Sequence, residues 1–121
     1  MKDCVELVNI PLQTEEVCTF IKQGDTIEAY QIDIIETGLD LRTCVIRMQL
    51  YNNNNKVMDI VTGSGITALS AITMQIDTYP AAKNNLPEGI SLGDLQVTTA
   101  AGLTTTYFNI AYTISKQYTR P

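Results

Sequence analysis

Acid–base chemistry in this chain would have to come from carboxylates, because its 121 residues include no histidine. That absence removes Ser-His-Asp and Cys-His nucleophile activation, every histidine-containing zinc site and the usual proton shuttle near neutral pH. Asp33, Asp40, Asp59, Asp77 and Asp94 lie in or beside expected strands. A glycosidase would need two of them facing each other across a cleft. Such clefts usually carry aromatic platforms too, and the chain has no tryptophan. Gly63-Ser64-Gly65 imitates a nucleophile turn but has no base to activate its serine, so it reads as a plain turn. No Walker or H-E-x-x-H pattern occurs, and no D-x-D-x-D-G calcium loop. The chain is therefore expected to be no enzyme, with no cofactor, no metal and no small-molecule substrate.

The three cysteines, Cys4, Cys18 and Cys44, are odd in number and widely spaced, unlike a disulfide scaffold or a C-x-x-C metal site. Cys44 reads as a small core residue and Cys4 and Cys18 as plain thiols, with the pairing of two of the three as the lesser alternative. The chain carries 13 acidic and 8 basic residues, a net charge of −5. A phosphate-backbone binder needs the opposite surplus, so nucleic acid is not an expected partner. No stretch approaches the roughly 18 apolar residues of a membrane span, and acidic residues stand where a signal peptide would carry its apolar run. Synthesis in a reducing cytoplasm is the expectation.

The residues between these groups alternate with the period of strands. Cys44, Ile46, Met48 and Leu50 share one face of an expected strand, and Val45, Arg47 and Gln49 the other. Asn52-Asn53-Asn54-Asn55 then tolerates left-handed backbone and reads as a hairpin tip, with a returning strand over 56–61. Residues 17–22 form a short apolar run ending at Gln23-Gly24-Asp25. After it, Ile27 and Ala29 sit out of phase with Tyr30, Ile32 and Ile34, which predicts a β-bulge. Ile72, Met74 and Ile76 alternate cleanly, and 79–88 is a loop with one helical turn at Ala81-Ala82-Lys83. Residues 90–98 put Leu95 and Val97 on one face and Ile90 and Leu92 on the other. Ala100-Ala101-Gly102 makes a hairpin turn into a last strand over about 104–115. Tyr51, Tyr79, Tyr107 and Tyr118 are read as packing at strand ends, with an exposed aromatic patch as the alternative.

Seven or eight short strands without a helix imply an all-β fold, an immunoglobulin-like antiparallel β-sandwich over residues 17–121. At this length the core can bury about two thirds of the unfolded surface. Residues 1–16 form an extended N-terminal arm with Pro11 and a mostly acidic charge. Its Val5, Leu7, Val8, Ile10 and Leu12 are too apolar for a solvated tail and are the candidate partner-binding residues. Two arrangements stay open: an extra edge strand on the same sandwich, or strand addition on a neighbouring subunit.

An ordered series of landmarks runs through the sandwich. It comprises Lys22-Gln23-Gly24-Asp25-Thr26, Thr37-Gly38-Leu39-Asp40-Leu41, Val45 to Leu50, Gly65-Ile66, Glu88-Gly89, Gly93-Asp94-Leu95-Gln96-Val97, Gly102, Thr106-Tyr107 and Tyr118-Thr119-Arg120. In this order the chain resembles a family of small tailed-bacteriophage virion proteins, best known as the N-terminal immunoglobulin-like domain of upper baseplate proteins. The landmark residues Gly24, Asp25, Asp40, Leu41, Gly89, Asp94 and Gly102 are read as setting turns and closing the core, with Asp94 placed to bond turn amides. Where such domains tend to carry aromatics before that aspartate, this chain has Ser91 and Gly93, and Ile110 stands where a glycine is common. The glycine is read as allowing close approach by a partner or by the arm.

The resemblance implies a virion structural protein, a non-enzymatic assembly module docking onto the tail or baseplate. Its partners would be other virion proteins and further copies of itself. A capsid decoration or head-fibre attachment protein, and a host-glycan-binding adhesin module, are the alternatives.

Overall fold

The computed structural model describes residues 15–116. Eight strands follow one another: β1 Glu15–Lys22, β2 Tyr30–Asp33, β3 Val45–Asn52, β4 Asn55–Thr62, β5 Gly65–Ala68, β6 Thr73–Ile76, β7 Gly89–Thr98 and β8 Thr104–Ser115. Two short 3-10 turns, Leu41–Thr43 and Ala81–Lys83, complete the elements among the described residues. The arm residues Val5, Leu7, Val8, Ile10 and Leu12 lie outside the described residues.

The alternation of β3 decides the inside of the molecule. Ile46, Met48 and Leu50 are fully buried, while Val45, Arg47 and Tyr51 face out. The asparagine tract closes the β3–β4 hairpin through Asn53 and Asn54, both at positive φ (51° and 68°). Two consecutive left-handed residues give the turn whose twist matches a two-residue hairpin, and asparagine adopts that backbone at little cost.

The strands lie in the order β1-β8-β7-β3-β4-β5-β6-β2. The chain turns a corner at Thr62-Gly63-Ser64, where only two residues of β4 and β5 pair, in parallel. This splits the order into a five-stranded layer, β1-β8-β7-β3-β4, and a three-stranded layer, β5-β6-β2. Ile66, Met74, Ile76 and Ile32 of the smaller layer join Ile46, Met48, Leu50, Leu95, Val97, Ile110, Tyr112 and Ile114 of the larger one in a single core. Each fully buried side chain of this kind contributes about 1.5–3 kcal/mol by leaving water. The Tyr30 and Tyr112 hydroxyls meet at 2.7 Å between the layers.

Pairings are antiparallel except at the β4–β5 corner and at β1, which runs parallel to β8 from Glu15↔Phe108 to Lys22↔Ser115. The expected bulge ahead of β2 is a break instead. Ile27 forms an isolated bridge with Tyr79, and the strand begins only at Tyr30. A bulge does occur in the β7–β8 pair, at Leu95/Gln96, where Tyr107 is the extra residue.

The landmarks fall as follows. Gly24 (φ 83°) and Gly102 (φ 88°) hold left-handed turn positions, and Gly89 (φ 112°) opens β7. The Asp25 N–H donates to the Lys22 carbonyl, and its own carbonyl accepts from Asn84 Nδ2 at 2.6 Å. Asp40 caps the first 3-10 turn by accepting from the Arg42 N–H, and Leu41 is fully buried behind it.

Two expectations are corrected. Asp94 caps no turn. It lies in mid-strand, between Gln49 of β3 and Asn109 of β8. Gly93 leaves room for no partner, because a Cβ there would fall 1.7 Å from the Gln49 carbonyl oxygen of β3. The close approach is internal, and Ile110, paired with Gly93 on the core face, is fully buried.

Candidate functional site

The aspartates weighed for catalysis are engaged separately. Asp33 accepts from Thr73 Oγ1 at 2.8 Å. Asp77 accepts from Thr67 and Gln75, and Asp40 is clamped by the Arg42 guanidinium. Asp59 is the most heavily bonded, accepting from Arg47 through two nitrogens (2.8 and 2.7 Å), from Gln49 and from Lys56. The Arg47 fork holds the Asp59 carboxyl well below the usual carboxylate range, with Lys56 and Gln49 adding to it. Asp94 goes the other way, raised by partial burial. Among the described residues no group of three His, Cys, Asp or Glu is placed to hold a metal ion.

Asp59 gives a testable consequence. A carboxylate whose folded pKa is depressed stabilises the fold above its unfolded pKa and loses that contribution as the pH falls. Asp59→Asn is expected to cost about 1 kcal/mol at neutral pH, the range of partly exposed ion pairs. In urea unfolding followed from pH 7 to pH 2, the difference from the parent should shrink once the pH drops below about 4. A constant difference would show that the network acts through packing alone.

The surface feature with the widest reach is the outer face of the five-stranded layer. Register places Tyr51 of β3 opposite Leu92 of β7, Leu92 opposite Ala111 of β8, and Ala111 beside Cys18 of β1. One step along, Ile90 pairs with Thr113, which lies beside Phe20. Phe20, Tyr51, Ile90 and Leu92 are each between 40% and 44% exposed. Alternation sends them outward because Ser91, Leu95 and Val97 take the core face of β7. The strip is edged on one side by the polar row Gln49, Asp94 and Asn109, in which the Asn109 Nδ2 is buried without a hydrogen-bond partner.

A second apolar group stands at the end of the sandwich where β3 begins and the β7–β8 hairpin turns. Ile35 and Leu103 are 82% and 69% exposed, and Val45 also projects there. Tyr107 reaches from β8 to donate to the Glu36 carboxylate, which pushes its pKa up to about 12. A groove of about 730 Å³ lies between Cys18–Lys22 and Asp25–Tyr30, where the outermost strands of the two layers diverge. The four tyrosines do not form one patch. Tyr51 is exposed, Tyr79 and Tyr107 pack against the core, and Tyr118 lies outside the described residues.

One cysteine departs from its reading as a plain thiol, and Cys4 lies outside the described residues. Cys44 is free and buried in the core, as its alternation implies. Cys18 is disulfide-bonded. Spacing gave no sign of it, because no nearby cysteine marks the pair.

The order β8-β7-β3-β4 in one layer, opposed by β5-β6-β2 in the other, is the strand arrangement of a variable-type immunoglobulin sandwich. The fold is immunoglobulin-like. Among solved structures, the chain is similar to the V domain of amphioxus IgVJ-C2, at 13% identity and a TM-score of 0.33. The match covers 80% of this chain and 99% of that one. No protein-family model and no curated protein matches the chain. The inter-sheet cysteine pair and buried tryptophan that mark antibody domains have no counterpart, since β2 and β7 carry no cysteine and the sequence has no tryptophan.

Proposed function

We propose that the chain is a non-enzymatic bacteriophage virion structural protein that docks onto the tail or baseplate through the outer face of its larger sheet. The observation that carries this reading is the strip formed by Phe20, Tyr51, Ile90 and Leu92. These are large apolar and aromatic side chains from β1, β3 and β7 that the register brings onto one outer face, each with 40–44% of its surface exposed. A flat face of this kind is what a protein contact uses, with aromatic and aliphatic anchors at the centre and polar groups at the rim. The ordered landmarks from Lys22 to Arg120, with their resemblance to upper-baseplate immunoglobulin-like domains, supply the particle. Symmetric assembly makes a modest patch sufficient, because neighbouring copies raise one another's effective concentration.

Peptide quantification of purified particles tests the location. Copy numbers from a few to tens place the chain in the tail, and hundreds would move it to a capsid decoration role. Its absence from particles would overturn the virion reading altogether. Leu92→Asp tests the face: it should leave the fold intact and lower incorporation roughly tenfold or more, since losing about 1.4 kcal/mol of contact is a factor of ten. Incorporation at the parental level would remove this face from the docking surface.

A further inference from the structure

We propose that the two apolar surfaces are the two halves of one contact, in which the exposed end of one sandwich seats on the outer strip of the next copy. The inference rests on the strip being a docking face, as proposed above, and names what meets it. Among the described residues, the nine exposed large apolar side chains fall into two groups. Phe20, Tyr51, Ile90 and Leu92 make the strip, and Ile35, Val45, Leu69, Ile72 and Leu103 make the end. Backbone pairing brings the second group together. The Ile34 N–H donates to the Ile72 carbonyl and the Leu41 N–H to the Ala71 carbonyl, which ties the β2–β3 connection to the β5–β6 turn. Val45 pairs with Thr98, at the base of the β7–β8 hairpin that carries Leu103. Tyr107 of β8 donates to Glu36 and so holds the β2–β3 connection against the larger layer.

The two surfaces differ in charge. Around the end stand Asp33, Glu36 and Asp40, against one base, Arg42. Beside Tyr51 on the strip, Arg47 and Lys56 share the single acid Asp59, and Lys22 closes β1 two residues beyond Phe20. With Asp94 of the polar row, the described side chains bordering the strip are three bases against two acids. Glu88 and Lys116, past the ends of β7 and β8, offset each other. End against end would set acid on acid, and strip against strip would set base on base. End against strip joins opposite charges around two apolar centres, so the favoured contact is heterologous. Docking leaves the strip of one copy and the end of the other open, and such a contact closes into a ring or runs on as a filament.

Sedimentation of the purified full-length chain at rising concentration tests the contact. The parent should assemble beyond a dimer. Leu103→Asp, and independently Ile35→Asp, alters the end, and Leu92→Asp alters the strip. Each variant alone should stay monomeric while unfolding at the parental temperature, its contact weakened roughly tenfold or more. Mixing an end variant with the strip variant should restore a single contact, giving a 1:1 complex and nothing larger. A parent that is monomeric at every concentration, or a mixture that never pairs, would overturn the proposal. So would dimers of one variant by itself, since a patch would then be meeting its own kind.

Particles separate this inference from the reading beneath it. If Leu92→Asp lowers incorporation while the parent stays monomeric in solution, the strip meets a different virion protein, and the head-to-tail contact falls alone. Absence of the chain from particles, with the 1:1 complex formed, would count against the virion reading and leave the contact standing.

Discussion

Replacing Gly93 by alanine should leave little folded protein. The added Cβ would sit 1.7 Å from the Gln49 carbonyl oxygen and 2.9 Å from the Leu50 Cα, both backbone atoms of β3. Backbone in the middle of a sheet cannot swing aside as a side chain does. To make room, β3 and β7 must separate where they are joined over seven residue pairs. Overpacking a core commonly costs 1–3 kcal/mol, and a clash with a paired strand should exceed that, at about 4 kcal/mol or more. For a domain of marginal stability this approaches the whole margin. Gly38→Ala is the control: it has the same change in chain entropy and a strained φ of 84°, but no atom within 4 Å of the new methyl. It should cost about 1–2 kcal/mol. Denaturant unfolding of the two variants side by side makes the comparison, and a Gly93→Ala protein as stable as Gly38→Ala would refute the steric account.

The second large effect appears at alkaline pH. Burial pushes the Tyr30 pKa up to about 12, partly offset by the hydrogen bond to Tyr112, and burial raises Tyr112 well above its ordinary value. Both phenols are acids whose folded pKa exceeds the unfolded one, near 10. Their contribution is complete below pH 10 and is lost as the pH climbs toward the folded values. The pair should remove on the order of 2–3 kcal/mol or more between pH 10 and 12, since each pH unit between the unfolded and folded values costs about 1 kcal/mol per phenol. Urea unfolding between pH 8 and 12 should show this fall in the parent, and a much flatter profile when both tyrosines are phenylalanine. The double replacement removes both hydroxyls together, so neither is left buried alone. Parallel profiles for the two proteins would show that the pair is not what titrates.

How far the sequence foretold this molecule can be judged from particular elements. β3 and β4 are legible because one face of each is buried and the other wet, so alternation writes itself into the residues. The asparagine turn is legible because its backbone needs residues that accept positive φ. β5 is not: Gly65-Ile66-Thr67-Ala68 is short, begins with a glycine, and owes its place to β6 rather than to its own pattern.

Gly93 was misread for a related reason. A glycine in a strand marks close approach, but only the fold says by what. The outer strip was half visible, since Ile90 and Leu92 were already out of phase with Leu95 and Val97, yet contact with Phe20 depends on β1 lying parallel to β8. Parallel pairing joins residues far apart in the chain through a long connection, and local pattern carries no trace of it.

The parallel alignment of β1 with β8 has a mechanical consequence. The chain enters β1 at Glu15, beside Phe108, and leaves β8 at Ser115, beside Lys22. Tension along the chain therefore pulls the two strands lengthwise past each other, loading the evenly spaced bonds between them together. A hairpin pulled from its open end gives way one rung at a time, whereas this seam resists until many rungs fail at once.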